Sequence, residues 1–252
     1  MGLLRVVFTG MGIVSPVGKT VESAWDAVCY GRSGIATITS FDASHMKNRI
    51  AGEVSDFEVS EYLAPREAKR MDTFVHYGYA AAVDALTDAG LTNDETACDP
   101  NRVGCAIGSG IGGLKTIEDT TEAYLEHGPR KVGPFFIPGS IINMIGGFLS
   151  ISYNLKGPNI AIVSACATAT HNMGSALRMI QYGEADVMVA GGAEFATTPT
   201  SISGFISARA MSTQNDEPQQ ASRPWDAGRD GFVLSNGAGV VVMEELEHAR
   251  AR

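Results

Sequence analysis

The sequence predicts an α/β fold in which strands and helices alternate within one domain. Apolar, β-branched runs such as VVFTGMG and GVVVM are typical of buried strands. Between these runs lie segments whose apolar residues recur at the spacing of one helix face, with glycines at their ends. No low-complexity linker divides the chain. Since strands that alternate with helices form layered structures, we expect a single domain over residues 1–252.

The first elements are a buried strand and a capped helix. The strand VVFTGMG runs into glycines, and Thr20 then stands at the N-cap of a helix that ends at Gly31. The apolar residues of this helix share one face: Val21, Ala24, Trp25 and Val28. Residues 32–62 show no sustained period, which predicts a long excursion over the surface instead of a core element.

The next segment predicts a central helix. Pro65 suits the first turn of a helix, and residues 74–89 are apolar nearly all round before Gly90. The second strand, VGCAIGSG, leads into a helix that ends at Gly128 and Pro129. The apolar side of that helix carries Leu114, Ile117, Thr121 and Tyr124.

Three further strands and two helices complete the pattern. The third strand, NIAIVSA, reaches Cys166, and a helix that ends at Gly183 follows. The core face of this helix comprises Met173, Ala176, Leu177 and Ile180. The strand ADVMVAGG comes next, and the fifth strand, GAGVVVM, lacks alternation and so suits burial on both faces. The closing EELEHARAR resembles the start of a helix, so we expect the chain to be part of a longer protein.

The composition excludes several classes of function. A net charge of −9 argues against a nucleic-acid surface, which needs clustered positive charge. No apolar run is long enough to span a membrane, and the start MGLLRVVFTG lacks the regions of a signal peptide, so we expect a cytoplasmic protein. The cysteines at 29, 98, 105 and 166 show no metal-ligand spacing, so we expect free thiols and neither metal nor cofactor.

Cys166 is the candidate nucleophile. It stands where a strand meets a helix, and the unpaired N–H groups and dipole of a helix N-terminus favour the thiolate form. A sharp strand-to-helix turn also exposes a nucleophile, although free cysteines are often simply buried and inert. His171 lies five residues on, about 140° round the helix, so we expect it to hydrogen-bond inside the fold instead of forming a dyad with Cys166.

Two other enzyme classes compete with this interpretation. Gly108, Gly110 and Gly113 fit the GxGxxG spacing of a dinucleotide-binding loop. A Rossmann unit should continue into a second strand that ends in an acidic residue about 20 positions on, whereas Gly128–Lys131 follow this helix. A cysteine hydrolase would need a histidine and an acid arranged as a triad, and the sequence shows no such pair.

The segment GPNIAIVSACATATHNMGSALRMIQYGEADVMVAGGAE resembles the active-cysteine region of the β-ketoacyl-acyl-carrier-protein synthases, and most of all the type II enzymes. Further matching stretches occur in the same order along the whole chain: VVFTGMGIVSPVG, IGSGIGGL, GPRKVGPFFIPGSIINM, SRPWDAGRDGFVLSNGAG and VVVMEELEHA. Two positions depart from the family pattern. Ala169 replaces a usual glycine, and Asn236 replaces a usual acidic residue.

The resemblance implies the first of two related halves of a thiolase-like, layered α-β-α fold with a five-stranded mixed sheet. It implies an acyltransferase of fatty-acid biosynthesis, in which Cys166 takes the acyl group from a carrier-protein thioester and malonyl-carrier protein is then decarboxylated. The two histidines and the oxyanion-hole N–H of the family belong to the second half, which this chain lacks. A catalytically incomplete fragment or a dimerising interaction module is the alternative, although related chain-length factors lack the cysteine.

The resemblance also implies an acyl carrier protein as partner and a homodimer. The carrier is acidic, and Arg66, Lys69 and Arg70 have the spacing of one helix face. Arg130, Lys131 and Arg209 match further basic positions of the family, although such residues also occur on ordinary solvated faces. An acyl tunnel would be walled by Ile111 and Phe205, with Phe136, Ile137 and Ile141 entering from a partner subunit. Without the resemblance, such apolar residues would be read as plain core.

Overall fold

The structure is a computed structural model that describes residues 2–91 and 98–252. Its strands are β1 (Val6–Val14), β2 (Ala36–Thr37), β3 (Ile50–Ala51), β4 (Val103–Gly108), β5 (Asn159–Ile160), β6 (Val187–Glu194) and β7 (Gly237–Glu245). Its α-helices are α1 (Val21–Cys29), α2 (Pro65–Ala68), α3 (Thr73–Asp88), α4 (Leu114–His127), α5 (Phe136–Ser140), α6 (Met144–Ser152), α7 (Thr168–Gln181), α8 (Pro199–Ser207) and α9 (Leu246–Ala251).

A five-stranded mixed sheet in the order β1-β7-β6-β4-β5 forms the centre of the molecule. β7 pairs antiparallel with both β1 and β6, whereas β4 pairs parallel with β6 and β5. Parallel neighbours end at the same edge of a sheet, so the carboxyl ends of β4 and β6 lie side by side. The predicted α/β fold and five-stranded mixed sheet are confirmed.

Helices cover both faces of this sheet. α3 lies on one face, where ten of its residues are buried, and a Cβ at Gly12 of β1 would clash with the carbonyl group of Ala81. The central helix predicted from residues 74–89 is therefore confirmed. α7 covers the opposite face and buries Ala176 and Ile180 against Met188 of β6. The result is the predicted α-β-α layering.

The segment from Pro65 is broken, contrary to the prediction of one helix. α2 ends at Ala68, and Asp72 then caps α3 by accepting a hydrogen bond from the Phe74 N–H at 3.1 Å. Of the three basic residues placed on one helix face, only Arg66 lies within α2, with Lys69 at its C-cap and Arg70 beyond it. The local cap overrides the apparent helical spacing.

Residues 32–62 contribute a second, small core, so their description as a surface excursion is wrong. β2 and β3 pair antiparallel, and Ile38, Ala43 and Ala51 are buried against Ile202 and Met211. These partners are more than 150 positions away in the sequence, so local periodicity carries no sign of the contact.

Several predicted apolar helix faces are exposed. α1 begins at the predicted cap, Thr20, but its Trp25 is 67% exposed and its Val28 61% exposed. On α4, Ile117 and Tyr124 are likewise exposed. Among the helices of residues 2–91 and 98–252, none is long and apolar enough to cross a membrane.

Candidate active site

Cys166 lies on a strained turn between the sheet and α7. The preceding residue, Ala165, has a φ of 51°, in the left-handed region that residues with a Cβ rarely adopt. A 3₁₀ turn over Ala165–Ala167 then leads into α7, and the Cys166 side chain is exposed. Backbone strain of this kind persists where the surrounding structure enforces it and is concentrated at functional sites.

Two side chains of α7 hold the segment before this turn. The predicted third strand is paired only at Asn159–Ile160, and side chains of the helix take over beyond it. The Ile162 N–H donates to Asn172 Oδ1 at 3.0 Å, and Asn172 Nδ2 donates to the Ile162 carbonyl oxygen at 3.0 Å. The Ser164 N–H donates to Thr168 Oγ1 at 2.9 Å. The buried Asn172 and Thr168 therefore fix the approach to Cys166 from the first turns of the helix.

The N-terminus of α7 gives Cys166 a positive electrostatic environment. In the part of the chain that the structure describes, no side chain caps this helix at its N-cap residue, Ala167. The first N–H groups of a helix lack intrahelical partners and carry partial positive charge. Cys166 directly precedes the N-cap residue, so it lies at the positive end of the helix dipole.

Cys166 opens onto a cleft of about 490 Å³ with largely apolar walls. Ile111, from the loop after β4, and Phe205, from α8, both line it, so the structure brings together Cys166 and the two residues proposed for a tunnel wall. The remaining lining residues include Ala193, Ala196, Leu234, Asn236 and Ala238. An apolar cleft beside a nucleophile suits a substrate with an alkyl chain.

Glu194 is the residue of this cleft that sequence reasoning missed. Its carboxylate accepts hydrogen bonds from the N–H groups of Gly110, Ile111 and Gly112 at 2.9, 3.0 and 3.3 Å. It also accepts from Ser109 Oγ at 2.8 Å. The signal was an acidic residue at the end of a strand parallel to the one before the glycine loop.

The same hydrogen bonds rule out the dinucleotide-binding hypothesis. In a GxGxxG loop, the backbone N–H groups bind a pyrophosphate. Here the N–H groups of Gly110, Ile111 and Gly112 already bind the carboxylate of Glu194, and that negative charge would repel a phosphate.

His171 does not pair with Cys166. Its Nδ1 lies 2.6 Å from Ser164 Oγ, and the ring is exposed at the surface. As expected from helix geometry, His171 makes a hydrogen bond within the chain and no dyad with Cys166. The expectation that this bond lies inside the fold is wrong, because it lies at the surface. Within the described ranges, Cys166 has no hydrogen-bonded histidine, as a hydrolase triad would require.

The other thiols differ from Cys166 in exposure. Burial raises the pKa of the Cys105 thiol to about 12, and it also raises the pKa of Cys98. Cys29 is exposed on α1, away from the residues that line the cleft. Cys166 is thus the cysteine that the described structure presents inside a cleft.

The remaining predicted site residues lie outside the Cys166 cleft. Phe136 lines a second cleft of about 210 Å³ together with Lys69 and Arg70, while Ile137 and Ile141 are exposed. The Arg70 guanidinium lies 4.5 Å from the centre of the Phe135 ring. The four other basic candidates are all exposed: Arg66 in α2, Arg130 and Lys131 in a 3₁₀ turn, and Arg209 just after α8.

The sequence matches the family described as the β-ketoacyl synthase, N-terminal domain, over residues 4–249. The chain belongs to the β-ketoacyl synthase family. Relatives named 3-oxoacyl-[acyl-carrier-protein] synthase 2 include those of Vibrio harveyi, 58% identical over the whole of this chain, and Coxiella burnetii, 54% identical over 98% of it. The chain spans about 60% of the length of these curated relatives.

Solved ketosynthases share this fold. A β-ketoacyl synthase from Burkholderia phymatum STM815 has a TM-score of 0.89 and 32% identity, with 99% of this chain and 61% of that chain covered. The ketosynthase of AntDE:AntF, described as in complex with its type II PKS acyl-carrier protein and bound to the hexaketide, has a TM-score of 0.79 and 26% identity. That likeness covers 99% of this chain and 66% of the other.

The two departures from the β-ketoacyl synthase pattern both lie beside the cleft. Asn236 Oδ1 accepts hydrogen bonds from the N–H groups of Ala196 and Thr197 at 3.0 and 3.1 Å, as a carboxylate oxygen would. A Cβ at Gly192 would lie 3.2 Å from the Cβ of Ala169, so glycine in β6 leaves room for the alanine. Both residues therefore fit the backbone around the cleft.

Proposed function

We propose that this chain is the acyl-accepting part of a 3-oxoacyl-[acyl-carrier-protein] synthase, with Cys166 as the nucleophile. The observation that carries the proposal is the position of Cys166 on a strained turn, at a helix N-terminus and in an apolar cleft. The relatives that bear this name match the chain throughout its length.

The reaction assigned to Cys166 is transfer of an acyl group between two thiols. The Cys166 thiolate attacks the carbonyl carbon of an acyl-carrier thioester and forms a new C–S bond. The tetrahedral oxyanion collapses, the bond to the carrier sulfur breaks, and the carrier leaves as a thiolate that takes up a proton from solvent. Cys166 makes this attack from the N-terminal end of α7.

The cleft is the proposed site for the alkyl part of the acyl group. Ile111, Phe205 and Leu234 contribute apolar surface to its wall. Burying an alkyl chain contributes about 0.8 kcal/mol for each methylene removed from water. Phe136, Ile137 and Ile141 would complete the pocket from a second subunit of a homodimer, and the exposure of Ile137 and Ile141 supports this assignment.

Condensation with a malonyl unit is assigned to the complete synthase, of which this chain is a part. The family resemblance gives that step two histidines and an oxyanion-hole N–H from the second half. His171 is bonded to Ser164, which supports assigning decarboxylation to residues outside this chain. We place the complete enzyme in the cytoplasm, where fatty-acid elongation on carrier proteins takes place.

An acyl carrier protein is the proposed partner. The chain carries a net charge of −9, so an acidic carrier would need a local basic surface. The candidates for this docking surface are Arg66, Lys69, Arg70, Arg130, Lys131 and Arg209. The ketosynthase of AntDE:AntF, a relative with the same fold, is described as in complex with its acyl-carrier protein.

Intact mass after incubation with a long-chain acyl-carrier thioester tests the proposal, with the Cys166→Ala variant as control. The proposal predicts an adduct of one acyl group that is missing in the variant. A folded sample without any adduct would instead identify the chain as a catalytically incomplete module.

A further inference from the structure

The loop that carries Ile111 into the cleft is held by one carboxylate. Gly108 of β4 and Gly192 of β6 are register partners in the parallel pair, so the loop after β4 lies beside Glu194 at the end of β6. Glu194 Oε2 accepts from the N–H groups of Gly110 and Ile111 at 2.9 and 3.0 Å. Its Oε1 accepts from Ser109 Oγ at 2.8 Å and from the Gly112 N–H at 3.3 Å.

The hydrogen bonds to Glu194 hold the backbone of Ile111 directly. The N–H of Ile111 is itself one of the bonded groups, and its side chain forms part of the cleft wall. Among the described residues, no side chain caps α4 at its N-cap, Gly113, so Glu194 and Ser109 are the side chains that bond the loop there. A Cβ at Gly110 would lie 2.8 Å from Glu194 Oε2, so the loop packs tightly on the carboxylate.

We propose that Glu194 is a positioning residue that fixes Ile111 in the wall of the Cys166 cleft and thereby sets how well the cleft holds an alkyl chain. The inference rests on the proposed function, because that function places an alkyl chain in the cleft. Glu194 is assigned no direct part in the reaction at Cys166. The carboxylate of Glu194 accepts hydrogen bonds from four donors. It therefore fixes the geometry of the loop as well as adding a negative charge.

A Glu194→Gln variant isolates the geometry at nearly constant side-chain volume. The glutamine amide nitrogen can only donate, so it cannot accept from the loop N–H groups that it would face. The amide nitrogen must face either the N–H groups of Gly110 and Ile111 or the N–H of Gly112, so at least one hydrogen bond is replaced by a contact between two donors. The loop that carries Ile111 is then held less firmly. A Ser109→Ala variant is a milder change, because it removes a bond to Glu194 and the bond from the Gly112 N–H but keeps the carboxylate.

The test compares alkylation of Cys166 by two reagents, iodoacetamide and an iodoacetamide with an N-dodecyl chain. Both reagents react with the same Cys166 thiolate. Loss of the Glu194 charge therefore changes both rate constants by the same factor, and their ratio is unaffected by it. Peptide mass spectrometry separates Cys166 from the exposed Cys29. The assay needs no acyl transfer, so failure of the proposed function and failure of this inference give different results.

We expect the long-chain reagent to react faster than iodoacetamide in the unmodified chain. In Glu194→Gln, the ratio of long-chain to short-chain rates should fall about four-fold or more, as expected when contact with a methylene group is lost. Ile111→Ala should lower the ratio as well. Ser109→Ala should also lower it, and this variant serves as the test if Glu194→Gln does not fold. A ratio near one in the unmodified chain, or an unchanged ratio in the folded variants, would overturn the inference.

Discussion

Asn172 satisfies both backbone polar groups of Ile162, with two hydrogen bonds of 3.0 Å. In a sheet, a neighbouring strand would bond these groups, but here a buried side chain of α7 does so. The segment before Cys166 is thus tied to the helix that follows Cys166. This connection holds the strained turn at Ala165 in place.

Replacing Asn172 with alanine should destabilise the chain and slow alkylation of Cys166. The change leaves the partly buried N–H and C=O groups of Ile162 without partners, which costs about 1–2 kcal/mol in the free energy of unfolding. Urea denaturation and iodoacetamide kinetics would measure the two effects. Thr170→Ala, an exposed change on the same helix, should alter stability by less than about 0.5 kcal/mol. Equal effects for both variants would contradict this role of Asn172.

Two glycine-to-alanine changes, one in β4 beside α7 and one within α7, should change the free energy of unfolding in opposite directions. A Cβ at Gly108 would lie 2.5 Å from the Ile162 carbonyl oxygen and 2.8 Å from Asn172 Nδ2, so Gly108→Ala should destabilise by about 1–3 kcal/mol. Gly174 lies within α7 and has open space around it, so Gly174→Ala should stabilise by up to about 1 kcal/mol. Thermal unfolding of both variants checks the pair, and a stabilising Gly108→Ala would show that the packing is looser than described.

Arg252 should matter far more for stability than its neighbour Arg250. Arg252 donates to both oxygens of the fully buried Glu244 at 2.6 Å and to the Ala89 carbonyl oxygen, whereas Arg250 pairs with Glu247 in the open. Arg252→Ala leaves a buried charge poorly paired and should cost about 3 kcal/mol. Arg250→Ala should cost less than about 1 kcal/mol. Denaturant titrations would reveal the difference, and equal costs would mean that Glu244 is adequately paired without Arg252.

Glu244 and its partners Arg252 and His248 contribute to the response of the chain to acid. Burial alone would raise the pKa of Glu244, but hydrogen bonds from Arg252 and His248 outweigh it and hold that pKa below its usual value. A carboxylate with a lowered folded-state pKa contributes stability above its unfolded value of 4.5, and this contribution is lost as the pH falls through the folded value. In Arg252→Ala the loss below pH 4.5 should be smaller, and an unchanged acid profile would contradict the assignment.

Stability should decline at alkaline pH, partly because of Cys105. Burial raises the pKa of this thiol from 9.0 to about 12, so the unfolded chain loses the proton first. The thiol therefore lowers the free energy of unfolding progressively between about pH 9 and pH 12. Cys105→Ala should be less stable at neutral pH because of the cavity, but should show a shallower decline over this range. Some decline should remain in this variant, because burial also raises the pKa of Tyr77 to about 12. A decline as steep as that of the unmodified chain would exclude the Cys105 thiol as a cause.

Much of the fold follows from patterns that are local in the sequence. The cap at Thr20 and the all-round apolar segment of α3 each depend on residues within a few turns, and both were found. The break before α3 was missed because Asp72 uses one oxygen locally and the other on the Thr116 N–H, 44 positions away. Such a distant partner leaves no periodic signal.

The candidate site divides in the same way. Cys166 was predicted from its place between strand and helix and from the surrounding motif, and Ile111 and Phe205 from the family pattern. Glu194 and Asn172 were not, because their roles consist of hydrogen bonds to backbone groups elsewhere in the chain. Backbone groups carry no residue identity, so a sequence pattern cannot reveal which side chain will bond them.

The most direct test of the account is the site at which an acyl group from a long-chain acyl-carrier thioester becomes attached. The chain would be digested and its peptides analysed by mass, while the free carrier thiol released is counted in parallel. We predict one acyl group on the peptide that contains Cys166, one carrier thiol released for each group attached, and the same result in Cys29→Ala, which removes the other exposed cysteine. Acyl groups on Cys29, or none on a folded chain, would contradict the assignment of Cys166 as the acyl-accepting nucleophile.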